Sequence, residues 1–412
     1  MMATQTETGL DKRTIDIIKS TVPVLQERGT EITKRFYEMM LGENPELKNI
    51  FNQTNQRKGD QPKALANTVY AAAAHIDQLE EILPVVEQIG HKHRSLNIKP
   101  HHYPIVGKYL LLAMKDVLQD AATEEIMEAW EKAYGIIADV FIDVERKMYE
   151  EVEAAPGGWV DYRDFKVVKK VKESDVITSF YLEPADGKPF PAHKPGQYIT
   201  VKAEMEGEPY THQRQYTLSC APGEKYYRIS VKREDGENGN PKGVVSSYLH
   251  EQIEEGDILP ISAPGGDFFL DQADDRPLIL ISGGVGLTPT MSMLETVIKN
   301  QPEREVHFIH AAKSGAVHAM KERVKEITND YDQVKAYTVY SEPQKEDEGA
   351  YDKRGYIDEE WLKSVIPTAD AAVYFCGPLG FMEAMQQHLK NLNVSPEDIH
   401  FEVFGPATAI SA

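Results

Sequence analysis

Apolar residues recur every three or four positions along the first part of the chain. The spacing predicts helices over Thr14–Gln26, Thr30–Leu41, Pro62–Leu79, Glu81–His91, Tyr103–Leu118 and Glu124–Tyr149. Pro45, Pro62, Pro100 and Pro104 stand near the expected helix starts and breaks. The run Glu150-Glu-Val-Glu-Ala-Ala-Pro156-Gly157-Gly158 then interrupts this texture, charge followed by Pro-Gly-Gly marking a boundary. Beyond it the period shortens. Phe165–Val171, Val176–Glu183, Gln197–Lys202, Gln215–Ser219 and Tyr226–Lys232 read as short strands separated by turns, the texture of a barrel or sandwich. From Asp271 onward, strand-like runs (Leu278–Ser282, Val306–Ala311, Lys335–Tyr340, Ala372–Cys376) alternate with helix-like runs (Thr290–Lys299, His318–Thr328, Glu359–Ser364, Phe381–Asn391), as in a parallel α/β sheet. The chain is thus predicted to be multi-domain: all-α over 1–150, antiparallel β over 157–268, and an α/β parallel sheet over 271–412.

Charge and cysteine content narrow the function classes. Lys and Arg number 45 against 66 Asp and Glu, a net charge of −21. Nucleic-acid binding needs basic patches, so that class is set aside. The two cysteines, Cys220 and Cys376, exclude a disulfide framework and any all-cysteine metal or iron–sulfur site within one chain. The first residues are polar and lack an apolar signal core, and the apolar run Leu278–Leu287 is too short to span a bilayer. The expectation is a cytoplasmic protein with no stable membrane association and no obligate protein partner.

The most informative local motif is Leu278-Ile-Leu-Ile-Ser-Gly283-Gly284-Val285-Gly286-Leu287-Thr288-Pro289, a strand running through glycines into a helix. Such a turn lets the backbone approach a pyrophosphate at a helix N-terminus. Thr288 is expected to cap that helix and Pro289 to suit its first turn. A plain tight turn would use the same glycines. A second strand end, Tyr374-Phe-Cys376-Gly377-Pro378, lies where parallel sheets bind ligands. The closing segment Phe401-Glu402-Val403-Phe404-Gly405-Pro406 either covers a flat ring or forms a last buried strand.

In the strand-rich region, Arg214-Gln215-Tyr216-Thr217-Leu218-Ser219 places Arg214 and Tyr216 on one strand face, fit to clamp a pyrophosphate and lie on a ring. Gly243-Val244-Val245-Ser246 is a glycine turn at a helix start, and Pro195-Gly-Gln-Tyr198 precedes both. Each piece alone is also ordinary strand-surface chemistry. Together and in this order they resemble the ferredoxin–NADP reductase superfamily from about residue 159 to the C-terminus. The resemblance implies an FAD-binding β-barrel followed by an NAD(P)H-binding α/β domain. It implies that Tyr198, Arg214, Gln215, Tyr216 and Thr217 contact the flavin and that Gly243, Val245 and Ser246 meet the FAD phosphates. Gly284, Val285, Gly286, Leu287, Thr288 and Pro289 would carry the nicotinamide nucleotide. Cys376 and Gly377 would lie near the nicotinamide, with Phe404, Gly405 and Pro406 at the flavin ring. Lys313 and Arg323 are either contacts to the adenosine ribose, which would set NADH against NADPH preference, or plain surface charge.

A helical domain of about 150 residues containing histidines invites a haem. The candidates are His75, His91, His93, His101 and His102. His93 closes the Glu81 helix before Pro100. Upstream, Gln61 and Leu65 fall on one face of the Pro62 helix, so two helices could sandwich a flat cofactor. Phe51 could wedge it and Tyr37 place a hydroxyl over its centre. The segment from Tyr37 through Asn44-Pro-Glu-Leu-Lys-Asn-Ile-Phe51 to Gln61, with Lys92-His93, Tyr103 and Ala129-Trp-Glu-Lys-Ala-Tyr134-Gly135, resembles the globin domain of bacterial flavohaemoglobins. With the reductase pieces behind it, the resemblance covers essentially the whole chain. It implies haem b, FAD and NAD(P)H as cofactors, with His93 as the iron ligand. Tyr103 and Glu145 would stand behind that ligand, Tyr37 and Gln61 would be distal hydrogen-bond donors, and Phe51 and Leu65 would line the pocket. Lys92 and Glu402 would tune the haem and flavin. The implied activity is nitric oxide dioxygenation: NO and O2 become nitrate with electrons from NAD(P)H through FAD, a detoxification of nitric oxide. Rival readings are an NAD(P)H-dependent flavin or ferric reductase, and an oxygen or NO sensor or carrier. An apolar haem pocket would also admit a lipid tail.

Overall fold

The computed structural model describes residues 9–51, 59–236 and 241–405. The chain forms two compact units. One comprises the chain up to Ala155 together with Glu204–Gln213 and Gly405, and the other comprises Pro156–Ala203 and Arg214–Phe404.

The first unit is helical: α1 (Lys12–Glu43), α2 (Asp60–Ala74), α3 (Leu83–Ser95), α4 (His102–Leu118) and α5 (Glu124–Ala154). Asp11 caps α1 by accepting from the Thr14 N–H, and Thr123 caps α5 in the same way through Ile126. The two helices expected over 14–41 are one continuous helix. Pro23 is exposed, and so is Lys19, whose carbonyl loses its helical donor and can turn to water. Gly29, in the gap between the two expected helices, is a packing position: a Cβ there would lie 3.4 Å from Ala66 of α2. Ile18, Phe36, Met40, Ala73, Ile76, Ala113 and Ala133 form the dry centre of this unit. On α5, Trp130, Ala133, Phe141 and Glu145 follow helical spacing along the buried face, so a carboxylate occupies a core position. A buried carboxylate requires partners, and their identity defines the site described below.

The second unit carries two sheets. Strands β1 (Tyr162–Lys172), β2 (Ile177–Pro184), β3 (Tyr198–Ala203), β4 (His212–Thr217), β5 (Tyr227–Lys232) and β6 (Ile258–Ser262) form a sheet of order β4-β3-β6-β1-β2-β5. The register pairs Phe165 with Pro184 and Leu259, and a Leu218–Ile229 bridge brings the β4 end onto β5, closing the sheet toward a barrel. Phe165, Val167, Phe180, Ile199, Val201, Ile229 and Ile261 fill its interior. Helix α6 (Val244–Glu251) follows β5.

The other sheet is parallel, with β7 (Leu278–Gly283), β8 (Val306–Ala312), β9 (Val334–Tyr340), β10 (Lys353–Arg354), β11 (Ala372–Cys376) and β12 (Ile399–Glu402) in the order β10-β9-β8-β7-β11-β12. Helices α7 (Leu287–Asn300), α8 (Lys321–Asp330), α9 (Glu359–Val365) and α10 (Leu379–Asn391) connect the strands. Every residue of β7 and β11 is buried, as expected of central strands covered on both faces. The strand order turns back between β7 and β11, which is where such sheets open a ligand crevice. Among the described residues no helix is long and apolar enough to cross a membrane.

Burial makes this unit acid-sensitive. His193 is 4% exposed, and burial holds its pKa down to about 4 although its Nε2–H donates to the Cys220 carbonyl at 3.0 Å. The folded state therefore refuses a proton that the unfolded chain takes near pH 6.5. Stability is complete above that pH and falls as pH drops toward 4. At roughly 1.4 kcal/mol per pKa unit, His193 contributes about 3 kcal/mol to that loss. Urea unfolding at pH 7 and pH 4.5 should show the difference shrinking by about that amount in His193→Gln; an unchanged slope would mean the histidine is not buried neutral.

Candidate functional site

The buried carboxylate of Glu145 finds its partners on two other helices. The Nδ1 of His93, from the last turn of α3, lies 2.6 Å from Glu145 Oε1. The Tyr103 hydroxyl, from the first turn of α4, donates to the same oxygen at 2.6 Å and stands 3.3 Å from Nδ1. Two donors thus converge on one oxygen of a group that is 2% exposed. Burial, then the Glu145 charge, pushes the Tyr103 pKa well above its ordinary value, so the phenol stays a donor throughout the working range. Tyr134 fixes the start of α4 by donating to the Tyr103 carbonyl at 2.7 Å, and Tyr149 donates to the Ile98 carbonyl just beyond α3 at 2.8 Å. Phe141 packs beside both rings, 6.1 Å from His93 and 6.3 Å from Tyr103 between centroids.

This arrangement sets the chemistry of the imidazole. Nδ1 carries the proton because it faces a carboxylate, so Nε2 is the unprotonated nitrogen. Nε2 has no protein partner among the described residues, and the side chain is 33% exposed. A histidine oriented by a carboxylate, with its other nitrogen open, is the donor set of an iron-bound imidazole. His75 also faces a carboxylate, Glu81, but that pair is exposed and does not share the buried setting of Glu145, and His102 accepts from the Lys99 N–H.

Tyr37, Phe51 and Leu65 belong to the same apolar cluster as Tyr103 and Phe141. Tyr37 is buried on α1, with its ring 5.6 Å from Phe51 and 4.7 Å from Phe36. Gln61 and Leu65 lie one turn apart on α2, both half-buried. The Lys92 Nζ donates to the Gly405 carbonyl at 3.1 Å.

In the second unit, Arg214 and Tyr216 share a half-buried face of β4, while Thr217 is buried. Burial lowers the Arg214 pKa, with Tyr216 working the other way, and burial raises that of Tyr216. Gln215 alternates to the opposite face. Tyr198 is buried, its ring against Gly266. The Ser246 hydroxyl, in the first turn of α6, accepts from the Glu234 N–H and donates to the Gly243 carbonyl, both at 3.2 Å, while Val245 turns into the core.

The glycine turn after β7 lies directly on the end of β11. Ser282 and Cys376 are register partners, and a Cβ on Gly286 would sit 2.2 Å from the Cys376 carbonyl oxygen and 2.8 Å from the Gly377 nitrogen. The two motifs found far apart in the sequence therefore form one crevice floor at the point where the strand order reverses. Thr288 does not cap the helix. α7 begins at Leu287 after Gly286, no side chain caps it, and Thr288 Oγ1 donates back to the Val285 carbonyl at 3.1 Å. Val285 is half-buried and Leu287 and Pro289 are buried. Cys376 is fully buried, and burial followed by the charge of Glu402 holds its thiol far above the ordinary range. Glu402 is its register partner on β12, an edge strand that is only half-buried. Phe404 is 46% exposed, and Pro406 lies outside the described residues. Arg323 is engaged by Glu295 and Glu326.

Residues 34–141 match the globin family model, 164–270 the oxidoreductase FAD-binding domain and 280–387 the oxidoreductase NAD-binding domain. The flavohemoprotein of Oceanobacillus iheyensis is 64% identical over 98% of both chains. This chain belongs to the flavohemoprotein family. The Bacillus subtilis flavohemoprotein is 55% identical, over 98% of this chain and 99% of that one. Among solved structures, the flavohemoglobin of Malassezia yamatoensis with bound FAD and heme superposes with a TM-score of 0.83 at 31% identity, over 96% of this chain and all of that one. The FAD/NAD-binding domain of a Vibrio cholerae nitric oxide dioxygenase, at 36% identity and a TM-score of 0.54, covers 60% of this chain and all of that one. As a flavohemoprotein, the chain is an oxidoreductase that binds haem, FAD and NAD(P)H.

Proposed function

We propose that this flavohemoprotein is a nitric oxide dioxygenase, catalysing 2 NO + 2 O2 + NAD(P)H → 2 nitrate + NAD(P)+ + H+. The observation that carries the reading is the pair of hydrogen bonds from His93 Nδ1 and the Tyr103 hydroxyl to the buried Glu145. An oxygen carrier has no need of an anionic orienter behind its iron ligand, whereas oxygen activation gains from a strongly donating one. When bound, the cofactors supply a hydride, its division into single electrons, and an iron centre for the gases.

The residues then have separate tasks. Glu145 holds the Nδ1 proton in place, which makes Nε2 of His93 the ligating atom and raises its electron donation. Tyr103 keeps that carboxylate oriented and, being locked in its protonated form, does not compete for the proton. Tyr37 and Gln61 would donate hydrogen bonds to negative charge developing on a bound gas, and Phe51 and Leu65 would keep the pocket apolar around them. Arg214, Tyr216 and the start of α6 hold the flavin nucleotide. The Gly284–Pro289 turn and the Cys376–Gly377 strand end hold the nicotinamide nucleotide. The complete set of nucleotide-binding parts favours catalytic electron supply over a gas sensor.

The decisive experiment is aerobic NO consumption by the haem- and FAD-loaded protein with limiting NADH. Roughly two NO lost per NADH, with nitrate as the product over many cycles, is the expected result. One stoichiometric burst followed by NADH oxidation without NO loss would refute the proposal. In the same assay Tyr37→Phe should slow NO oxidation about 10- to 100-fold while leaving flavin reduction by NADH unchanged.

A further inference from the structure

Within the second unit, each of the two nucleotide motifs runs into a buried polar tie to the other. The Arg214–Ser219 segment continues into Cys220, whose carbonyl accepts from Ser292 Oγ at 2.7 Å and from His193 at 3.0 Å. Ser292 is on α7, one helical turn beyond Pro289 of the glycine motif. One residue before Cys220, the Ser219 hydroxyl bonds Ser230 at 2.8 Å and accepts from Arg228 Nε at 3.0 Å. The same guanidinium also donates to the Ser219 carbonyl and reaches Glu295 Oε2 on α7 at 3.2 Å. Arg323 of α8 holds the other Glu295 oxygen at 3.3 Å. The side chains of Arg228 and Glu295 are 8% and 12% exposed.

Thr288, Ser292 and Glu295 stand four and three residues apart, so they form one stripe along α7 from the nucleotide turn to the tie. A helix and a strand are stiff over such short lengths, so displacement at the tie is passed to both motifs. Apolar contact also joins the two layers, since Ile177 of β2 belongs to the same core cluster as Leu280, Met291 and Leu294. Apolar contact, however, does not specify register. A buried ion pair adds little net stability over apolar residues of equal size, and its use is in fixing one arrangement among several.

We propose that Arg228 and Glu295 are positioning residues for hydride transfer, setting the spacing between the flavin strand and the nicotinamide-binding helix. Neither is among the residues expected to contact a cofactor: Arg228 grips Ser219, the last residue of the flavin motif, and Glu295 stands on α7, so both act through Ser219, Cys220 and that helix. The proposal rests on the electron-supply half of the functional reading and not on the chemistry of NO.

The test compares the full-length wild type with Glu295→Gln and the double variant Arg228→Met/Glu295→Leu, all loaded with haem and FAD. The double variant replaces the pair by apolar groups of similar size, so it should keep the fold and FAD content of the wild type, with a melting temperature lowered only by the Ser219 acceptors that lose their Arg228 donor. Anaerobic stopped-flow reduction of its flavin by saturating NADH should nevertheless be about 10- to 100-fold slower, with the NAD+ dissociation constant within about twofold of wild type. Glu295→Gln, which keeps an acceptor, should fall between the two. In the FAD-free proteins, amide hydrogen exchange at Ser219–Ala221 should be faster in the double variant than in the wild type. Wild-type flavin reduction in a stable double variant would overturn the proposal, as would unchanged exchange at Ser219–Ala221. A wild-type flavin reduced by neither NADH nor NADPH would overturn the electron-supply reading as well.

Discussion

His93→Gly is expected to yield a folded, FAD-containing protein that no longer retains haem and consumes no NO. The expectation follows from the division of labour at the imidazole. Nδ1 is committed to Glu145, and Nε2 is the nitrogen left for iron. Removing the ring does not orphan the carboxylate, because the Tyr103 hydroxyl remains 2.6 Å from the same oxygen. The structural cost is thus confined to a glycine in the last turn of α3 and lost packing against Phe141, about 1–2 kcal/mol in all. The haem Soret band should be lost on gel filtration, while anaerobic flavin reduction by NADH proceeds at the wild-type rate. Imidazole at millimolar concentration should restore part of the haem binding, since it supplies the missing nitrogen without the tether. A variant that keeps its haem with an unchanged spectrum would show that another side chain holds the iron.

Gly286→Ala should have an effect of similar size on the other half of the electron path. The added methyl would lie 2.2 Å from the Cys376 carbonyl oxygen and 2.4 Å from its carbon. Both are backbone atoms of a fully buried strand, so no rotamer change relieves the overlap. The glycine turn must lift off β11, at a cost of about 2–4 kcal/mol. Lifting it destroys the crevice floor, and flavin reduction by NAD(P)H should fall at least about 100-fold. Dithionite should still bleach the flavin, which separates a lost nucleotide site from a lost FAD. Gly380→Ala is the matched control: it also lies at a helix start near the crevice, and a Cβ there meets nothing within 4 Å. Equal behaviour of the two variants would refute the packing argument.

Much of this was legible from the chain because the relevant signals are local. The buried run Leu278–Gly283 and the glycines after it announce a strand, a turn and a helix without reference to anything distant. The departures have physical causes that local patterns do not carry. The apolar spacing predicts a break between Gln26 and Thr30, yet Gly29 in that gap packs against Ala66 and Pro23 faces water, so α1 runs through both. Thr288 has the composition of a cap but sits one residue inside the helix, where its hydroxyl turns back to Val285. Of the two carboxylates that meet Arg323, Glu326 stands three residues on along the same helix, whereas Glu295 comes from another helix and only the fold brings it there. Ser219 closed a motif, and only the fold shows that Arg228 from the neighbouring strand reads it. Glu145 was placed by family resemblance; its helical phase with Trp130 and Phe141 was the signal in the residues themselves that a carboxylate would be buried.

The two cysteines carry a consequence for survival in a nitrosative environment. Cys220 is 1% exposed and burial pushes its thiol up to about 11, while Cys376 is buried completely and burial holds its thiol well above the ordinary range as well. Nitrosation, glutathionylation and the first step of sulfur oxidation all begin from an accessible thiolate. The folded chain offers none at neutral pH. The protein can therefore stand among nitrogen oxides and peroxides without its own thiols becoming a competing target, and its working lifetime is decoupled from the thiol redox state of its surroundings.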